Sequence, residues 1–117
     1  NKLPGDAIEY YKNLFEHTIQ LACDIYGEKT FCMWKKNSKG DTFRWTKRAT
    51  TVLYDPLMVV LSENINNREY LVSIKDNIVN GTKDLFEKND DLLNGRNTSS
   101  SNVKERIRIF REYFNSL

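Results

Sequence analysis

The sequence predicts an all-α fold: a single helical bundle of four to five helices, with one long basic loop or short hairpin after the first helix. Three observations carry this expectation. Apolar residues recur at spacings of three and four in four separate segments. The period vanishes over one early stretch, Glu28 to Lys47, and no internal repeat interrupts the rest. The chain has 117 residues, 39% of them apolar, which suits one hydrophobic core and one domain spanning residues 1–117.

The first helix follows from Asp6, a capping residue, and from Ile8, Tyr11, Phe15, Thr18, Ala22 and Ile25 on one stripe, widened by Leu14 and Leu21. It begins at Ala7 and Gly27 ends it. Beyond it, Thr30 to Trp34 faces Thr42 to Trp45 across the turn formers Asn37-Ser38-Lys39-Gly40-Asp41, so an irregular loop and a two-stranded ribbon both fit. A second helical segment runs from Arg48 to Glu63 and contains Pro56, which either kinks it or starts a new helix capped by Asp55. Leu57, Met58, Val59 and Val60 make this the most enclosed piece.

A third helix starts at Asn66 or Asn67 and turns Tyr70, Leu71, Ile74, Ile78, Leu85 and Phe86 inward. Gly81 weakens its middle by about 1 kcal/mol relative to alanine, so a break is expected near Asn80-Gly81. A single turn around Asp91 to Leu93 and a polar connector follow. Asn102, or one of the serines before it, then caps a last helix whose stripe is Val103, Arg106, Ile107, Phe110, Phe114 and Leu117. Arg106 falls on that apolar stripe and calls for a partner, with Asp55 and Asp91 as candidates.

Composition excludes several classes. A mean hydropathy of −0.64 and the lack of a transmembrane run or secretory segment imply no membrane partner. Cys23 and Cys32 fit no zinc spacing, and reduced thiols in a cytoplasmic protein are the expected reading. Asn80-Gly81-Thr82 and Asn97-Thr98-Ser99 match glycosylation sequons but read as chance matches in an Asn-rich chain. The chain opens on Asn1, so a C-terminal piece of a larger protein is expected.

Catalytic constellations are equally sparse. The single histidine, His17, lies within the first helix and reads as structural or exposed; an enzyme would need it in a pocket beside an acid or thiol. Asp90-Asp91 lacks the spacing of a calcium loop, and the five glycines are scattered singly, so neither a metal nor a nucleotide cofactor is implied.

The stretch Phe31 to Ala49 is different. Lys35, Lys36, Lys39, Arg44, Lys47 and Arg48 oppose Asp41 alone, a local excess of 6 − 1 = +5 in a chain whose total is +2. Trp34, Phe43 and Trp45 are interleaved with these cations. Two readings stay open: phosphate contacts by the six cations with Trp34 and Trp45 stacking on bases, or a solvated loop whose aromatics anchor it to the core. Lys104, Arg106, Arg108 and Arg111 of the last helix would extend the patch if that helix lay alongside.

Three runs also resemble a known family. They are "DIYGEKTF" at Asp24 to Phe31, "TTVLYDPLMVVLS" at Thr50 to Ser62, and "DLFEKNDDLLNGRNTSSSNVKERIRIFREYF" at Asp84 to Phe114. Their order resembles the C-terminal helical region of the GmrSD-type, ParB-nuclease-like family of bacterial restriction proteins. Thr98-Ser99 followed by Val103, Arg106 and Phe110 is the most telling part. The resemblance implies a parent that cleaves foreign or modified DNA in a nucleotide-dependent way, as a phage-defence system. Its catalytic motifs belong to an N-terminal ParB-like nuclease domain and are not in this chain, nor is the His-Asn-His module of some members. What the resemblance implies here is a non-catalytic helical accessory domain, partnered by that nuclease domain and able to contact DNA through its basic loop. Tyr54, Asp55, Arg106 and Phe110 map onto positions that look structural. The alternative is a structural or protein-interaction domain with an exposed apolar patch on its first or last helix.

Overall fold

A computed structural model of the chain describes residues 4–37, 40, 42–93 and 99–117. Its first helix, α1, spans Pro4–Tyr26, three residues longer at the start than the Asp6 cap implies. Proline is well tolerated in a first helical turn, where its missing N–H would have no partner anyway. Gly27, at φ +58°, ends the helix in the left-handed region that only glycine enters cheaply.

The chain then reverses into a hairpin, strand β1 at Trp34–Lys36 and strand β2 at Phe43–Trp45. They pair antiparallel, with Trp34 opposite Trp45, Lys35 opposite Arg44 and Lys36 opposite Phe43. The ribbon, not the irregular loop, is the form observed. Phe31 makes the entry turn with φ +63°, an uncommon conformation for a residue with a Cβ. Its carbonyl accepts the Thr50 N–H at 2.9 Å and its ring rests on Tyr54 at 5.0 Å, which holds the turn in place.

Helix α2, Thr51–Glu63, runs continuously through Pro56, so no new helix starts there. It buries Val52, Leu53, Pro56, Leu57, Val60 and Leu61, and it packs against α1 on one side and the last helix on the other. The enclosed helix expected from its composition is therefore central.

The third segment divides into α3, Arg68–Ser73, and α4, Lys75–Lys88. The division falls at Ile74, not at Asn80-Gly81. The Ser73 hydroxyl donates to the Tyr70 carbonyl at 2.5 Å, competing for the acceptor that the Ile74 N–H also uses at 3.2 Å. Asn67 flanks α3 without a side-chain cap hydrogen bond, contrary to its expected role. Gly81 lies inside an unbroken α4 because the Tyr113 ring crosses there: a Cβ on Gly81 would sit 1.9 Å from the Tyr113 hydroxyl oxygen.

A single turn, α5 at Asp90–Leu93, precedes α6 at Ser100–Asn115, which Ser99 caps by accepting the Asn102 N–H at 3.3 Å. The fold is mostly helical, but it is not a pure bundle of four to five helices: the described residues form six α-helices and one two-stranded antiparallel sheet. The count rises because the Ile74 break divides what hydrophobic periodicity reads as one helix, and because the expected single turn around Asp91 to Leu93 forms as α5.

Leu21, Leu53, Leu57, Leu61, Ile78, Phe86, Leu93 and Phe110 fill the core, with Phe86 and Phe110 meeting edge to face at 6.5 Å. Two polar groups are buried with them. Tyr26 hydrogen bonds Thr82 at 2.9 Å, and since the Thr82 hydroxyl donates to the Ile78 carbonyl at 2.7 Å, Tyr26 is the donor. Burial pushes the Tyr26 phenol well above its ordinary range, so it stays neutral. Arg106 is 3% exposed and donates from Nε to the Leu92 main-chain carbonyl at 2.9 Å, not to the expected carboxylate of Asp55 or Asp91. It thereby ties α6 to α5. Burial lowers its pKa.

Candidate nucleic-acid interface

The hairpin stands on α4 through Trp34. The indole N–H donates to the Glu87 carboxylate at 3.2 Å, the Lys83 ammonium lies 4.7 Å from the ring centroid, and Trp45 meets the ring edge-on at 5.3 Å. The contacts to Glu87 and Lys83 both reach α4, so half-buried Trp34 acts as the anchor that pins β1 to the bundle. Met33 and Cys32 beneath it are buried.

Thr46 closes the base of the hairpin. Its hydroxyl accepts the Met33 N–H at 3.0 Å and donates to the Arg48 carbonyl at 3.0 Å, while its own N–H donates to the Met33 carbonyl at 2.8 Å. This latch fixes the register of β1 against β2, and with it the register of the cations.

On that platform Lys35, Lys36, Arg44, Trp45, Thr46 and Lys47 line an open cleft of about 540 Å³. No carboxylate is among them. The register sets Lys35 directly across from Arg44, and like charges facing each other on neighbouring strands destabilise a ribbon. None of Lys35, Arg44, Lys47 and Arg48 forms an ion pair among the described residues. Lys35, Arg44 and Lys47 thus bring the cleft positive charge that no described carboxylate pairs, which an anion would relieve, beside an indole that is only partly covered.

The eight sequence-predicted site residues therefore separate. Lys35, Lys36, Arg44, Lys47 and Trp45 line one concavity. Arg48 is exposed at its edge of the chain but outside the lining, and Trp34 is turned to the bundle. Lys39 lies outside the described residues. Thr46, Lys83 and Glu87 are contributors that the basic–aromatic pattern does not flag. Lys83 and Glu87 are about 50 positions from Trp34, so no local spacing could reveal them.

The last helix adds little free charge. Arg108 pairs with Glu105 and with Glu112, the latter at 2.8 Å, and Arg111 makes a two-pronged contact with Glu63 at 2.9 and 2.7 Å. Those hydrogen bonds hold the Glu63 and Glu105 carboxyls below their ordinary range. α6 packs on α2 and α5 and meets α4 through Phe110 and Tyr113, while β1 docks on α4 through Trp34.

Other chemistry is thinly represented. His17 is exposed on α1, and both cysteines are free, Cys23 exposed and Cys32 buried. Among the described residues no group of three or more His, Cys, Asp or Glu is placed to hold a metal ion, and no helix is long and apolar enough to cross a membrane. Compared with known proteins, the chain matches no family model, no curated protein and no solved structure.

Proposed function

We propose that this chain is a non-catalytic helical module that contacts nucleic acid through its basic hairpin. The GmrSD-type resemblance would make it the accessory domain of a restriction or phage-defence protein, beside a nuclease domain that does the cutting. One observation carries the binding part: a cleft lined by Lys35, Arg44 and Lys47 with Trp45 at its side and, among the described residues, no acidic residue in its wall. Cations grip phosphates and an adjacent indole offers a stacking surface, the combination that sequence-tolerant single-strand binding uses.

The test is fluorescence anisotropy with a labelled 12-nucleotide single strand and the matching duplex. Three phosphate contacts imply a log–log salt slope of roughly −2 for the single strand, so affinity should fall about twentyfold between 50 and 200 mM salt. The combined variant Lys35→Ala, Arg44→Ala, Lys47→Ala should flatten that slope. Absence of binding at 50 mM salt, or a slope unchanged by the triple variant, sinks this reading and leaves the structural, protein-interaction alternative.

A further inference from the structure

Lys35 and Arg44 are the two cations that the ribbon sets face to face. The Thr46 N–H donates to the Met33 carbonyl at 2.8 Å and the Asn37 N–H to the Thr42 carbonyl at 2.7 Å, so both of these pairs occupy hydrogen-bonded positions of the ladder. Such positions alternate along an antiparallel ribbon. The pair formed by Lys35 and Arg44, two residues from each, is therefore hydrogen-bonded as well, with its Cα atoms about 5.5 Å apart. Directly opposed residues share a face. Trp34 and Trp45, the next pair, take the other face, the one that Trp34 sets against α4. The ammonium and the guanidinium thus reach the same point on the outer side of the hairpin, and neither has a carboxylate partner among the described residues.

Charge and the number of acceptors decide what fits between them. A phosphodiester within a strand carries one charge and two free oxygens, both of which the fork of Arg44 alone occupies. Lys35 is then left unmatched. A phosphomonoester at the end of a strand carries close to two charges and three acceptor oxygens. Two of those oxygens meet the guanidinium and the third meets the Lys35 ammonium. Lys47, three positions beyond Arg44 and part of the same lining, remains for the phosphodiester that follows. Among the described residues of the lining no carboxylate repels a dianion.

We propose that the cleft recognises the terminal phosphate of a nucleic-acid strand, held between Lys35 and Arg44. This rests on the nucleic-acid reading of the hairpin and narrows it from any stretch of backbone to a phosphorylated end. A monoester relieves the repulsion between the two facing cations in full, whereas an internal diester relieves half of it.

Fluorescence anisotropy with 12-nucleotide single strands, labelled at the opposite end, tests this. The end under test carries a hydroxyl, a phosphate or a methyl-esterified phosphate, the last keeping the size of the group but only one charge. A 13-nucleotide strand with hydroxyl ends matches the phosphorylated 12-mer in its number of phosphate groups. Strands modified at the 5′ end and strands modified at the 3′ end form separate arms, and the arm that shows the preference identifies the end. The phosphorylated end should bind about fivefold more tightly than the hydroxyl end, the methyl ester or the 13-mer, the gain from one added ion pair at an open site. Lys35→Gln and Arg44→Gln should each bring that ratio close to one, with far-ultraviolet circular dichroism confirming that both variants fold. Equal affinity for all ends in both arms overturns the proposal and leaves the nucleic-acid reading standing, as does a preference that survives both substitutions. Absence of binding by every strand at 50 mM salt overturns the two together.

Discussion

Gly81→Ala gives opposite signs in sequence-based and structural reasoning. By helix propensity alone, alanine inside α4 should stabilise the protein by about 1 kcal/mol. In the fold the new methyl would lie 1.9 Å from the Tyr113 hydroxyl oxygen, 2.5 Å from Cζ and 2.7 Å from Cε1, distances that force the ring to move. Moving it breaks the Tyr113 hydroxyl's shared donation to the Asn77 and Ile78 carbonyls, 3.3 and 3.2 Å away. That hydrogen bond is worth about 1 kcal/mol, and the displaced, half-buried ring adds an overpacking cost of about 1–3 kcal/mol. Set against the propensity gain, the net is a destabilisation of about 1–3 kcal/mol. Urea denaturation followed by circular dichroism measures it directly. In a Tyr113→Ala background the obstruction is gone, and Gly81→Ala should become stabilising by about 1 kcal/mol, a coupling of about 2–4 kcal/mol across the double-mutant cycle. A Gly81→Ala protein at least as stable as the parent in the presence of Tyr113 would refute the crossing.

Three further outcomes are expected. Trp34→Ala removes the hairpin's anchor and should cost about 2 kcal/mol of stability, roughly half the value for a fully buried tryptophan, whereas Trp45→Ala should weaken single-strand binding by about 1–3 kcal/mol at little cost in stability; thermal melts and anisotropy separate the two. Glu63→Gln removes the α2–α6 ion pair: because Arg111 depresses the folded-state pKa of Glu63, the pair's contribution is present above the ordinary value of 4.5 and fades as pH falls through the lower folded value. With Glu63 and Arg111 43% and 45% exposed, that contribution is small and shrinks further in 0.5 M salt, as pH-dependent urea midpoints should report. Arg106→Met keeps most of the buried volume but strands the Leu92 carbonyl, and a loss of about 1–2 kcal/mol in a urea titration is the expected result.

Helical segments were legible because a three-to-four-residue apolar spacing is a local property. The stripe in α1, the Gly27 stop, the Ser99 cap and the enclosed character of α2 all follow from residues within a few positions of one another. The same holds for the basic–aromatic composition of the hairpin. Other readings failed for a matching reason. Gly81 reads as a weak point only while Tyr113, 32 positions away, is out of view, and the break at Ile74 depends on how a serine hydroxyl competes for one carbonyl.

By itself, then, the sequence determined which segments are helical, that they share one core, and where positive charge collects. Tertiary structure decided what each of those features is free to do. It turned Trp34 onto Lys83 and Glu87, occupied Arg108 and Arg111 with acids, and left Lys35, Arg44 and Lys47 around an open cleft. It likewise covered one half of the α1 stripe and left the other half bare. Periodicity is written in neighbouring residues, but whether a side chain is spent on packing or remains available depends on partners dozens of positions away.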